Sequence, residues 1–180
     1  CEDMGVFDLS LRLCVNRSPQ ELAVAVLLRS SELCDLSGGD SLWIWVHLYA
    51  GGGLAQRVSA AWTTVSAIAA RTRRVTIGTL VASNTFRHPG LLAKCAVTVD
   101  HVSAGRLVLG IGAGYQEEEH AAFGIDMGSS REERIGWLEG SLVLLARLLA
   151  SERVGSPAGG RYALEEAVRR PQTSPGAGPL

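Results

Sequence analysis

A chain of 180 residues, 47% apolar and 19% charged, is long enough to bury one core and has the composition of an ordinary globular domain. Its net charge of -1, with 16 arginines to one lysine scattered in runs no longer than two, gives no general pull toward nucleic acid or an anionic membrane. No stretch reaches the roughly 18 uninterrupted apolar residues of a membrane span, and the N-terminus lacks the charged-then-apolar layout of a signal peptide.

The expected compartment is therefore the cytosol. The arginine bias reads as the coding habit of a GC-rich genome. Because position 1 is Cys, the chain is expected to begin inside a longer reading frame, or at Met4 with three extra residues. Cys1, Cys14, Cys34 and Cys95 form no CxxC pair and have no histidine at ligand spacing, so no metal site is expected.

In chain order, Gly5 to Leu13 partly alternates and reads as a first strand, interrupted by Asp8 and Arg12. A helix follows, with Ser18 as N-cap, Pro19 at N1, Glu21 at the capping-box position and an apolar stripe through Leu22, Val26 and Leu33. The segment Cys34 to Gly39 closes it, since paired glycines end helices and start turns. Ser41 to Val46 is the second strand, heavy in Trp43, Ile44 and Trp45, and it runs into His47. Gly51 to Gly53 form a loop, and Ala60 to Arg71 reads as a helix.

Val75 to Val81 and Leu107 to Ile111 are short aliphatic runs of strand length. Between them Pro89 suits a first helical turn, and Leu92, Cys95, Ala96 and Val99 recur on one face. Strand, helix and strand make a βαβ unit, with parallel strands and a right-handed crossover. The strands Ser41–Val46, Val75–Val81 and Leu107–Ile111 are expected side by side and parallel, with Val75–Val81 in the middle. Ligands in such folds gather beyond the carboxyl ends of the strands, here Leu80 to Thr85 and Gly112 to Gln116.

After Gly114 the acidic cluster Glu117 to Glu119 opens a loop, and a long helix begins near Ser130 with a stripe of Ile135, Leu138, Leu142, Leu145 and Leu149. Gly136 and Gly140 each weaken that helix by about 1 kcal/mol relative to alanine. Arg161 to Leu164 suggests a short strand, and Pro171 to Leu180 reads as a linker or frayed end. A division into residues 1–154 and a Gly/Pro-rich tail, 155–180, follows. Trp43, Trp45 and Trp137 sit at spacings that suit core packing, and Cys95 reads as a small buried hydrophobe. His88 reads as a helix cap, His101 beside Asp100 as a brace for the helix end near Arg106, and His120 as a residue of the acidic loop.

The stretch TLVASNTFRHPGLLAKCAVTVDHVSAGRLVLGIGAGYQEEEH, Thr79 to His120, resembles the luciferase-like monooxygenases, flavin- and deazaflavin-dependent (β/α)8 barrels related to bacterial luciferase. The likeness continues through DSLWIWVHL upstream and SSREERIGWLEGSLVLLARLLASERV downstream. A closed barrel needs about 250 residues, so the resemblance implies an α/β fold that is a parallel-stranded partial TIM barrel, about the first four βα units. It implies an oxidoreductase using coenzyme F-420 (a deazaflavin) or FMN on a small-molecule substrate, weakly active or inactive as given, with F-420 slightly favoured. Self-association through the exposed edges of the partial barrel is expected. Two other readings stand beside it: a non-catalytic partial barrel that associates with itself or a partner, and an S-adenosylmethionine methyltransferase-like fragment, to which the glycine loop also bears a likeness.

Three strand ends carry the candidate chemistry. His47 carries an imidazole, able to donate or accept a proton beside a redox ring; the resemblance gives it the place of the histidine in an Asp-His pair, with Val46 in the aspartate's place. Leu80-Val81 occupies the positions of a non-proline cis peptide that backs the coenzyme ring in relatives, and Ser83 and Asn84 are either hydrogen-bonding groups toward the ring or turn residues. Gly112, Ala113 and Gly114 let backbone approach a flat ring or a phosphate, with Tyr115 where some dehydrogenases of the family have a glutamate. Glu118 matches a coenzyme contact in relatives and reads equally as a solvated carboxylate.

Overall fold

The computed structural model describes residues 13–17, 22–49, 58–150, 153–156, 161–168 and 171. Strand β1 (Cys14–Arg17) leads to helix α1 (Val24–Leu36), β2 (Ser41–Ile44), α2 (Ala61–Arg71) and β3 (Thr76–Thr79). A second short strand, β4 (Ala82–Ser83), and one 3-10 turn, Asn84–Phe86, precede α3 (Pro89–Ser103), β5 (Leu107–Val108) and β6 (Ile111–Gly112). Helices α4 (Glu117–Phe123) and α5 (Arg131–Leu149) and the strands β7 (Arg153–Val154) and β8 (Ala167–Val168) complete the described order.

The main sheet runs β1-β2-β3-β5, all parallel, with Leu42 opposite Ile77 and Ile77 opposite Leu107. The strand that opens the βαβ unit, β3, thus lies between β2 and β5, as the pattern predicts. Parallel pairing continues at the carboxyl ends as a separate pair, β4 with β6, because the segment from Leu80 to Val81 leaves the sheet in a bulge whose peptide bond is cis. The expected single strands are accordingly shorter than the apolar runs. Gly110, between β5 and β6, packs against this bulge, where a Cβ would collide with the carbonyl oxygen of Thr79; the Thr79 hydroxyl donates to Gly110 O at 2.8 Å and accepts from Gly110 N at 3.1 Å.

The core is aliphatic. Leu42, Ile44, Val65, Ile68, Val75, Ile77 and Ala96 are fully buried between the sheet and α2 and α3. The opposite ends of the strands are tied by two polar clamps. Asp35 at the end of α1 accepts backbone N–H bonds from Arg73, Arg74 and Val75 at 2.8–2.9 Å. Arg106 spends its guanidinium on the carbonyls of Ala69, Thr72, Val75 and Ser103 and on the Thr72 hydroxyl, satisfying carbonyls at the end of α2 that have no partner inside the helix. Arg106 thus braces the corner that joins the ends of α2 and α3.

Several local expectations are corrected. The strand proposed over Gly5–Leu13 and the cap of Ser18, Pro19 and Glu21 lie outside the described residues, Leu13 excepted; the first described strand is Cys14–Arg17, and α1 starts after Ala23, which offers no side-chain cap. Of the predicted stripe, Leu22 lies before α1 and is 39% exposed, and Val26 and Leu33 on α1 are turned outward, 53% and 47% exposed, while Leu27, Ser31 and Asp35 face the core. Buried Ser31 is tolerated because its hydroxyl donates to Leu27 O at 2.9 Å.

Glu117–Glu119 forms the first turn of helix α4, not a loop, as acidic residues at a helix N-terminus favour. Helix α5 begins at the expected cap, Ser130, whose hydroxyl accepts from Glu133 N, but it buries Ser141, Leu144, Leu145 and Leu148, leaving Ile135 and Leu142 exposed. The short strand near the end is Ala167–Val168, not Arg161–Leu164; Tyr162 and Leu164 instead pack on the core, and Arg161 lies 3.5 Å over the Trp137 ring. His88 does cap α3, accepting from Gly90 N. Cys95 is partly buried against the core. None of the described helices is long and apolar enough to cross a membrane, and no metal-ligand cluster occurs among the described residues.

Candidate coenzyme cleft

The carboxyl ends of β1, β2, β4 and β6 open onto a cleft of about 340 Å³ lined by Asn16, Trp45, Val46, His47, Leu80, Val81, Ser83, Gly114, Tyr115 and Glu119, a size within the range of small-molecule sites. Six of the residues singled out from the sequence meet here: His47, Leu80, Val81, Ser83, Gly114 and Tyr115. Gly112 ends β6 and Ala113 follows it; a Cβ on Gly112 would stand 2.8 Å from the Val81 side chain, so glycine there leaves room for Val81 against the strand. Asn84 is buried behind the cleft, with neither side-chain polar atom hydrogen-bonded and its carbonyl accepting from the Tyr162 hydroxyl. Glu118 is exposed on α4 and does not line the cleft. Trp45, assigned to the core by spacing, is 38% exposed and forms a wall of the cleft.

The carboxylate missing at Val46 arrives from elsewhere. Glu119, 1% exposed, places Oε1 3.0 Å from His47 Nδ1, while Oε2 accepts from the backbone N–H of Leu48 at 2.8 Å and of Tyr49 at 3.3 Å. A carboxylate only accepts, so Nδ1 carries a proton, and whenever the ring is neutral it is Nε2 that holds the lone pair. That nitrogen faces Tyr115, whose hydroxyl lies 3.4 Å away, with the two rings edge to face at 5.5 Å. Burial of Glu119 is sustained because both oxygens are bonded.

Glu119 was legible only as one of three consecutive acids. Helical phase selects it: on α4, Glu117 and Glu118 point outward and Glu119 and His120 inward. His120 is likewise a buried member of the site's support, not a loop residue, with Nε2 2.6 Å from Thr85 Oγ1 and Nδ1 2.6 Å from Gln116 O.

The cleft's chemistry suits a planar, partly polar ring. Trp45, Val46, Leu80 and Val81 supply apolar walls, and His47, Ser83 and Tyr115 supply polar edges. Neither lysine nor arginine is among its lining residues.

Over residues 4–180 the chain matches the family model described as luciferase-like monooxygenase. It is 34% identical over 125 residues to 4-hydroxyprotoasukamycin monooxygenase of Streptomyces nodosus subsp. asukaensis, covering 69% of this chain and 32% of that protein. It is 33% identical over 145 residues to an F420-dependent glucose-6-phosphate dehydrogenase of Beutenbergia cavernae, covering 80% of this chain and 43% of that one. The fold superposes on the crystal structure of monooxygenase RslO1 from Streptomyces bottropensis with a TM-score of 0.77 at 26% identity, over 91% of this chain and 50% of that chain. An F420-dependent secondary alcohol dehydrogenase in complex with an F420-acetone adduct superposes with a TM-score of 0.80 at 20% identity, over 90% and 49%. The chain spans at most about half the length of each of these proteins. With its parallel sheet, its Leu80-Val81 bulge and a match that runs from residue 4 to 180, the chain belongs to the luciferase-like monooxygenase family.

Proposed function

We propose that this chain provides the ring-binding half of a flavin- or deazaflavin-dependent oxidoreductase site, for FMN or coenzyme F-420. The observation that carries the reading is the Glu119-His47-Tyr115 array at the mouth of an apolar cleft backed by Leu80 and Val81. The relatives include both F420-dependent dehydrogenases and monooxygenases, which supports the coenzyme class and leaves the substrate open.

When bound, the reduced coenzyme supplies a hydride or the electrons that activate oxygen. The chain's own residues do the rest. Glu119 fixes the imidazole plane and tautomer through Nδ1, so Nε2 is the atom that takes a proton from, or returns one to, a substrate oxygen at the cleft mouth. Tyr115, exposed beside it, closes one side, and Trp45 the other. In this reading residues 1–154 form the ring-facing unit and 155–180 a Gly/Pro-rich tail, and the 180-residue chain taken alone binds coenzyme weakly and turns over little. A cytosolic place and self-association through the sheet edges belong to the same proposal. The exposed edges also favour a second reading, a non-catalytic partial barrel.

Fluorescence titration with lumiflavin, FMN and F-420 tests the first reading. Lumiflavin, which has no phosphate, is expected to bind about as well as FMN, and Trp45→Ala is expected to weaken both. An FMN preference of tenfold or more, or indifference to Trp45→Ala, would show that the ring does not sit here.

A further inference from the structure

Behind the cleft wall runs a chain of three short hydrogen bonds whose direction, for a neutral imidazole, follows from its buried end. His120, 1% exposed, has Nδ1 2.6 Å from the carbonyl oxygen of Gln116. A carbonyl has no proton to give, so Nδ1 must carry one, and Nε2 of the neutral ring is left as an acceptor. Thr85 Oγ1, 2.6 Å from Nε2, therefore donates to it. Having spent its only proton, Thr85 accepts from Ser83 Oγ, also at 2.6 Å, and the Ser83 proton is directed inward.

Ser83 lines the cleft, and its remaining capacity is two lone pairs. We infer that Ser83 acts in this site as an enforced hydrogen-bond acceptor, with Thr85 and His120 as positioning residues that hold its proton away from the ligand. The site then favours a ligand presenting an N–H or O–H to Ser83 over one presenting a bare nitrogen or carbonyl. Identifying that ligand as a flavin-type ring rests on the functional reading above; the direction of the relay does not.

The surroundings support a built arrangement. Gly114 passes so close that a Cβ there would stand 2.6 Å from Ser83 Oγ, 3.0 Å from Thr85 Oγ1 and 3.6 Å from His120 Nε2. The Phe86 ring lies 5.0 Å from the imidazole and offers it no competing proton acceptor. The charged groups lining the outer cavity beside His120 are Glu117, Arg131 and Arg134, and neighbouring Glu119 is committed to His47, Leu48 and Tyr49. If the ring took a second proton at Nε2, Nδ1 would still donate to Gln116 O, but the bonds to Thr85 and from Thr85 to Ser83 would reverse and Ser83 would turn its proton toward the cleft, so the two states are distinguishable by experiment.

Two measurements test this. In long-range 1H–15N spectra of the uncomplexed protein at pH 8, with His120 assigned by the signals lost in His120→Phe, the ring is expected as the Nδ1–H tautomer, in wild type and in Ser83→Ala alike. An Nε2–H tautomer or a doubly protonated ring would overturn the relay without reference to any coenzyme. The second measurement is titration with oxidised and reduced FMN, since the reduced ring carries an N–H where the oxidised ring has a bare nitrogen. Thr85→Val frees the Ser83 proton, and the preference for reduced over oxidised FMN is expected to fall about fivefold, the size of one hydrogen bond, while Thr85→Ser keeps the wild-type ratio. An unchanged ratio in Thr85→Val would refute the role of Ser83. Wild type that binds neither form would sink the coenzyme reading, and the relay would then be decided by the tautomer alone.

Discussion

Glu119 and His47, 72 positions apart in the chain, are joined by a 3.0 Å bond from ring Nδ1 to carboxylate Oε1 in a site from which Glu119 is almost wholly excluded from solvent. The same carboxylate holds the backbone of Leu48 and Tyr49, so it positions the histidine and the loop that follows it together. Glu119→Ala would leave two backbone N–H groups and Nδ1 without their acceptor. A loss of about 2–4 kcal/mol is expected, read as a lower urea midpoint. Glu119→Gln, which keeps one oxygen, is expected to lose less, with His47 ring signals broadened by loss of its fixed tautomer.

Asp35 makes the fold sensitive to acid. Burial pushes its carboxyl up, but the N–H groups of Val75, Arg73 and Arg74 and the nearby Arg106 charge outweigh this and hold it below the ordinary value. A carboxyl lowered in the folded state contributes stability above its unfolded value, about 3.9, and loses that contribution as pH falls through its folded value. Urea midpoints are therefore expected to fall on acidification below about pH 4, and Asp35→Asn to lower the midpoint at pH 7 while flattening that acid limb. A limb of unchanged steepness in Asp35→Asn would assign the acid sensitivity elsewhere.

These two carboxylates show what was legible in the sequence. The parallel order of the central strands followed from aliphatic runs separated by a helical pattern, and the family from the long segment Thr79–His120. The cleft's His47, Leu80, Val81, Ser83, Gly114 and Tyr115 followed because strand ends are fixed once the strands are. Glu119 was hidden because three acids in a row carry no phase until α4 is known to be a helix. The stripe on α1 misled for a related reason: Asp35 and Ser31 are buried through hydrogen bonds to backbone, which an apolar count scores as the outer face. Trp45 looked like core because bulk is the same signal for a packed wall and an open one.

Gly114 has φ +86° and almost touches the relay. Alanine there meets both a backbone conformation that costs L-residues about 1–2 kcal/mol and the hydroxyls of Ser83 and Thr85. Gly114→Ala is expected to lower the urea midpoint and to weaken lumiflavin and FMN binding together by displacing Ser83. Gly136→Ala on α5, where a Cβ meets nothing within 4 Å, is the matched control, expected to stabilise by up to about 1 kcal/mol and to leave binding unchanged.

In the described main sheet β1 and β5 each pair on one side only, and an edge strand with unpaired N–H and C=O groups is a template for another chain. Next to the β1 edge, Leu13 is 56% exposed, and α1 presents Val26, Leu33 and Leu36 outward, Leu36 at 78%; such a run of apolar residues on one helix is more than the scattered exposure of an ordinary surface. Charge does little to oppose association, since the net charge is only -1. The 180-residue chain expressed alone is therefore expected to dimerise or form larger species, with mass by light scattering rising with concentration. Val26→Glu and Leu33→Lys, placed on the exposed face of α1, should shift it toward monomer without lowering its urea midpoint. A mass of 19.1 kDa that holds across the concentration range for the unmodified chain would defeat the prediction.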